Sequence, residues 1–221
     1  MTQFSYAHND TSQGERVTPT AGFNRPHICA EIQALRENAF ARGIPTADDE
    51  TLCFLQTFLS AFKPRKILEL GSAVGISAAF MSDICKQAQI TTIERDEAFY
   101  NEALQNFAQL GLGGRVTPVF GDAAEEIQKL DGGFDFIFLD CAKAQYVKYL
   151  PRLKQLLNVG GCLLADDVLL YGWITGETEI PKKRKMLAQH VNEYVQAATH
   201  DAQLSTTIIN AGDGLALSVK L

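Results

Sequence analysis

Residues 66–80 read KILELGSAVGISAAF, and this stretch limits what the chain can fold into more than any other. Ile67–Leu70 is an apolar run of strand type. Gly71-Ser72-Ala73-Val74-Gly75 is a tight glycine turn, and Ile76–Met81 opens a helix. A strand that turns at once into a helix leaves backbone N–H groups free beside the turn, where a carboxylate, a ribose hydroxyl or a phosphate can bind. The glycines permit the turn and the close approach of a ligand. The spacing is E-x-G-x-x-x-G, not G-x-G-x-x-G, and no Lys-Ser or Lys-Thr pair follows to grip a triphosphate. Glu69, inside the strand end, sits badly beside a pyrophosphate and well beside an ammonium group. Taken alone, the stretch also fits an ordinary strand–turn–helix of an α/β domain.

Its form resembles the first motif of the class I S-adenosylmethionine (SAM) methyltransferases. The rest of the chain repeats the alternation. Strands are expected at 66–70, Ile90–Glu94, Arg115–Phe120, Phe134–Asp140 and Cys162–Asp166. Helices are expected at about 75–87, from Asp96 to Gln109, after Asp122, through Tyr146 to Leu157, and from Lys182 to Thr199. Such alternation predicts a parallel sheet with helices on both faces. Ser205–Asn210 and Leu215–Leu221 follow each other with no crossover helix, which predicts an antiparallel hairpin. Two helices precede the sheet, Pro26 to Arg42 closed by Gly43, and a second one capped by Thr46 and ended at Lys63-Pro64. Residues 1–22 are polar and predict a flexible arm, leaving 23–221 as a single domain. A length of 221 residues suits one such domain with a sizeable core.

The acids at the strand ends point to chemistry, because ligands of an open α/β sheet bind beyond the carboxyl ends of its strands. Glu69 ends the first strand. Glu94 ends the second, about 20 residues past the turn, where an acid binds the two ribose hydroxyls. Its alternative is to start the next helix, a role Asp96 already fills. Gly121-Asp122-Ala123 follows the third strand, near the adenine if a nucleoside binds; Asp122 equally suits a helix cap. Asp140 and Asp166-Asp167 end the fourth and fifth strands. Three carboxylates on neighbouring strand ends repel one another unless a cation sits between them. Oxygen ligands without His or Cys favour Mg²⁺, with Mn²⁺ or Ca²⁺ as substitutes. The plainer alternative pairs Asp140 with Lys143 and leaves Asp167 at a turn.

FDFIFLDCAKAQY (134–146) followed by GGCLLADDVLLYG (160–172) resembles the paired motifs of the cation-dependent O-methyltransferases, the family of the catechol and caffeoyl-CoA enzymes and their bacterial relatives. The resemblance covers most of residues 27–221 and implies a Rossmann-like class I methyltransferase fold with a seven-stranded, mostly parallel sheet. It implies that Asp140, Asp166 and Asp167 bind the metal and that Lys143 and Asp140 are catalytic. It further implies that SAM touches Glu69, Gly71, Ser72, Gly75, Ser77, Glu94, Asp122, Ala123 and Asp140, with Ser77 near the methionine carboxylate. One departure is Asp167, where the family usually has Asn. The added negative charge tightens metal binding and makes the metal a weaker acidifier of a substrate hydroxyl.

The implied acceptor is a small hydroxylated aromatic with vicinal oxygens. The tail Asn210–Val219 and the stretch Ala41–Pro45 look most like the bacterial branch, part of which methylates 5-hydroxyuridine at the tRNA wobble position. A SAM-binding protein without catalysis is a third reading, opposed by the presence of Asp140, Lys143 and Asp166-Asp167 together. A net charge of −6 weakens the tRNA reading, and Lys182-Lys183-Arg184-Lys185 is the one dense basic run. Trp173, between the fifth strand and the last helix, suits either stacking on an acceptor or packing beneath its loop. The five cysteines form no C-x-x-C pair and read as free thiols of a reducing cytoplasm. No apolar stretch is long enough to cross a membrane. A homodimer involving the N-terminal arm is what the resemblance implies.

Overall fold

The computed structural model describes Thr18 and residues 22–221. Most of the arm expected at 1–22 therefore lies outside the described residues. Thr18 itself is buried.

The elements run α1 (Ala30–Ala41), α2 (Asp49–Phe62), β1 (Lys66–Leu70), α3 (Ile76–Ile84), β2 (Gln89–Glu94), α4 (Glu97–Gln109), β3 (Val116–Phe120), α5 (Ala123–Lys129), β4 (Phe134–Leu139), α6 (Tyr146–Leu156), β5 (Leu157–Ala165), α7 (Lys185–Thr199), β6 (Leu204–Ile209) and β7 (Leu215–Lys220). The seven strands form one sheet in the order β3-β2-β1-β4-β5-β7-β6. β3 through β5 pair in parallel, while β7 lies antiparallel to both β5 and β6. The strand order steps outward from β1 in both directions, so the carboxyl ends of β1 and β4 flank the point where the order reverses.

Strand periodicity assigns each face. Along β4, Ile137 and Leu139 join the cluster under α5, α6 and α7, whereas Phe136 and Phe138 join the one under α1 to α4. β5 divides the same way, with Leu163 and Ala165 against Cys162 and Leu164. Strands buried on both faces read as nearly continuous apolar runs, as FDFIFL does apart from Asp135 near its start. The described residues hold no helix long and apolar enough to cross a membrane.

Three local expectations change. Asp48, not Thr46, caps α2, its carboxylate accepting the Thr51 N–H at 2.7 Å; Asp is the stronger cap, and the helix begins two residues further along the connector. Gly160 and Gly161 do not turn into a strand at Cys162 but lie inside β5. There the pairing slips, so that Phe134 faces Leu157 while Phe136 already faces Cys162. This bulge absorbs the glycines without breaking the strand. The basic run forms a single 3₁₀ turn, Lys182–Arg184, ahead of α7.

Candidate active site

The parallel ladders continue one residue past the strands and so line up the acids. Gly71 N donates to Ile93 O at 2.9 Å, Asp140 N to Leu70 O at 3.0 Å and Asp166 N to Leu139 O at 3.0 Å. Glu69, Glu94, Asp140 and Asp166-Asp167 thereby share one rim of the sheet, as the sequence predicts.

Glu69 is fully buried and stands opposite Thr92 in the β1–β2 register. The Thr92 hydroxyl donates to its Oε2. Oε1 is buried without a hydrogen bond of ordinary geometry from the described residues; Ser77 lies near and favours the charged form without closing that bond. Burial pushes the Glu69 carboxyl up to about 7, the Ser77 and Thr92 hydroxyls pull it back, and Asp140 and Glu94 add to the rise. A buried acid with one unpaired oxygen suits a cationic partner.

The glycine turn is held from two sides. Glu94 Oε2 accepts the Ala73 N–H at 2.8 Å, and its Oε1 accepts the Arg95 and Asp96 N–H groups at 2.9 and 2.8 Å. From α4, Asn106 Nδ2 donates to Val74 O at 2.8 Å. Gly71 has φ of +93°, and a Cβ there would collide with the Asp140 carbonyl oxygen. Gly75, the cap residue of α3, would drive a Cβ into the Phe107 ring. Ser72 is buried in the turn. Asp122 does cap α5, accepting from Ala124 N at 2.8 Å, and Ala123 is buried behind it. Beside them the half-exposed Phe120 ring lies 5.4 Å from that of Tyr100. Sequence reasoning missed Asn106, Tyr100 and Phe120, since nothing in the local pattern brings α4 to the turn or to the end of β3.

On the other side of the switch, the Lys143 ammonium pairs with Asp140 and lies 3.0 Å from Asp167 Oδ2. Asp167 stands at φ of +57°, in the left-handed region. Burial works against the Lys143 charge, yet Asp140 and then Asp167 hold it well above the ordinary lysine range. Burial, then Asp167 and Asp140, push the Asp166 carboxyl well above the usual carboxylate range. Cys141 is pushed up to about 12 by burial, with Asp140 adding to the rise, so it is no nucleophile.

The plainer alternative, Asp140 paired with Lys143, is thus the arrangement found, and Asp167 joins it. Among the described residues no group of three or more His, Cys, Asp or Glu is arranged so that it could hold a metal ion as it stands. The donor chemistry nevertheless fits a hard cation. The Lys143 ammonium pairs with Asp140 and Asp167, and Asp166 ends the neighbouring strand, so all the donors gathered here are the carboxylate oxygens that a hard cation takes.

Beyond β5, Trp173 is buried with its ring 5.2 Å from that of Tyr171, so it packs beneath the loop. Lys182, Lys183 and Lys185 are exposed.

A family model described as O-methyltransferase matches residues 27–221. Tapetum-specific methyltransferase 1 of Arabidopsis thaliana is 28% identical over 218 residues, covering 93% of this chain and 91% of its own. A caffeoyl-CoA O-methyltransferase-like protein of Staphylococcus aureus has a similar crystal structure, with a TM-score of 0.80 and 31% identity, covering 87% of this chain and 93% of that one. The SAH-bound Podospora anserina methyltransferase PaMTH1 shares the fold along 100% of both chains, with a TM-score of 0.82 and 22% identity.

Proposed function

The chain belongs to the O-methyltransferase family, and from that premise we propose that it transfers a methyl group from SAM to one hydroxyl of a small aromatic acceptor with vicinal oxygens. A divalent cation, Mg²⁺ or a substitute, would be held by Asp140, Asp166 and Asp167. The observation that carries this reading is the pairing of the Lys143 ammonium with both Asp140 and Asp167 at the strand ends, where the charge of Asp166 also acts on it. The S. aureus protein's caffeoyl-CoA description and the SAH in PaMTH1 support the acceptor and donor classes.

Each residue has a part in this reading. The unpaired Glu69 oxygen receives the ammonium of the donor's amino-acid end, with Ser77 beside its carboxylate. Glu94 holds the turn through three N–H groups and, at the end of β2, borders the ribose of the donor. Gly71, Ser72 and Gly75 let the donor approach the backbone, and Asp122 and Ala123 border its base. A cation in the acidic cluster supplies Lewis acidity that favours an ionised acceptor hydroxyl. With the charges of Asp140 and Asp167, which now hold it protonated, offset by a bound cation, Lys143 would release its proton to solvent and then take the hydroxyl proton. The acceptor oxygen forms the new C–O bond as the C–S bond breaks, and the neutral thioether leaves. The protein's main contribution is to align the two partners. The same proposal includes a cytoplasmic setting and a homodimer.

Methyl transfer from labelled SAM to a generic catechol, and in parallel to undermodified bulk tRNA, each with Mg²⁺ and with EDTA, tests this. Metal-dependent label in the catechol alone supports the proposal. Metal-dependent label in tRNA replaces the acceptor with a wobble uridine. SAM binding with neither acceptor labelled counts against both.

A further inference from the structure

Glu50 and Thr51 open α2, far in sequence from the acidic strand ends, yet both are buried beside them. The Thr51 hydroxyl donates to Asp166 Oδ1 at 3.3 Å across a separation of 115 residues. The same oxygen accepts the Asp167 N–H at 2.8 Å. Two donors on Oδ1 fix the rotation of the carboxylate, and Oδ2 receives no hydrogen bond from the described residues. A carboxylate held in this way keeps one oxygen on the protein and presents the other to a cation.

Glu50 ties two further segments to the same place. Its carboxylate accepts the Thr18 hydroxyl at 2.6 Å, Asn24 Nδ2 at 2.9 Å and the Gly212 N–H at 3.0 Å. Gly212 lies in the turn between β6 and β7. The end of that turn accepts the N–H groups that follow Asp167, Val168 to Gly214 O at 2.9 Å and Leu169 to Asp213 O at 2.8 Å. Two paths therefore lead from the segment before α1 to the acidic pair, one through the neighbouring Thr51 and one through the hairpin turn.

We infer that Glu50 and Thr51 form a positioning pair, through which the segment carrying Thr18 and Asn24 sets how Asp166 presents its free oxygen to a divalent cation. This rests on the metal-site reading given above. Neither residue touches the reacting atoms; both act through Asp166. A purely structural network would stabilise the fold and leave cation affinity alone, so the two roles separate by measurement.

The test measures Mn²⁺ affinity of the full chain by electron paramagnetic resonance, with SAH affinity and thermal denaturation alongside, for Thr51→Val, Thr51→Ser, Thr18→Val and Asp166→Ala. Thr51→Val is expected to weaken Mn²⁺ about tenfold or more, as loss of an outer hydrogen bond to a ligand does. Thr51→Ser restores affinity to within about twofold, and Thr18→Val weakens it roughly threefold, with SAH affinity unchanged. If Asp166→Ala abolishes Mn²⁺ binding while Thr51→Val and Thr18→Val leave it intact, the inference is overturned and the metal site stands. If the unaltered protein binds no Mn²⁺, the metal reading fails and the inference with it. Where Thr51→Val does not fold, Thr18→Val and Glu50→Gln replace it, and a loss of melting temperature with unchanged Mn²⁺ affinity in both overturns the pairing.

Discussion

Lys143 lies 3.0 Å from Asp167 while its ammonium is also paired with Asp140, so one cation of the chain serves two carboxylates of the rim. Such a lysine is both a proton carrier and a competitor for any added cation. Lys143→Met is therefore expected to move two measurements in opposite directions. Turnover falls by about 10²–10⁴, the usual contribution of a general base, while calorimetric Mn²⁺ affinity rises. A fall in both would mean that the lysine props the carboxylates and does not compete.

Asp140 stands between the two halves of the rim. Asp140→Ala is expected to abolish turnover and leave SAM affinity within a few-fold, because the donor is held mainly from β1 and β2. An equally large loss of SAM binding in a filter or calorimetric assay would contradict that division of labour.

Glu69 gives the pH dependence a sign. Its carboxyl goes from about 4.5 when exposed to about 7 when folded. The folded state therefore binds the extra proton between these values, and stability falls as pH rises through the window, by roughly 3 kcal/mol. Denaturation midpoints from pH 4.5 to 8 check this, and Glu69→Gln is expected to flatten the curve. A bound ammonium reverses the preference. SAH affinity is expected to climb as pH passes 7, and Glu69→Gln to weaken it and remove the climb.

Gly71→Ala places a Cβ against the Asp140 carbonyl oxygen at a φ of +93°. A loss of about 2–4 kcal/mol in urea denaturation is expected from collision and backbone strain together. Gly113→Ala is the matched control, since a Cβ there meets nothing within 4 Å. Equal effects of the two substitutions would rule out the proposed close approach.

What the sequence disclosed follows the range of the forces involved. Glu69, Glu94, Asp140 and Asp166 are legible because each interrupts an apolar run at the end of a strand, and sheet geometry carries all strand ends to one rim. The cap at Asp96 is legible because it is local. Thr46 and Asp48 both lie close ahead of α2, and only the path of the connector decides which of them caps it. The glycines at 160 and 161 suggest a turn until β4 supplies a partner with a slipped register. Thr51, Asn106 and the Tyr100–Phe120 pair gain their roles only from distant parts of the chain, Thr51 from a residue 115 positions away. Trp173 suited two environments by chemistry alone, and packing against Tyr171 selects the buried one.

The place of β7 between β5 and β6 also has a consequence for how the protein is made. The five parallel strands can join one another as they are synthesised, each meeting a neighbour already present. β6 finds no partner among them, because the strand that links it to β5 comes after it in the chain. Until Leu215–Lys220 has been translated, β5 presents an open hydrogen-bonding edge to the cell, and closing it is the last act in completing the sheet.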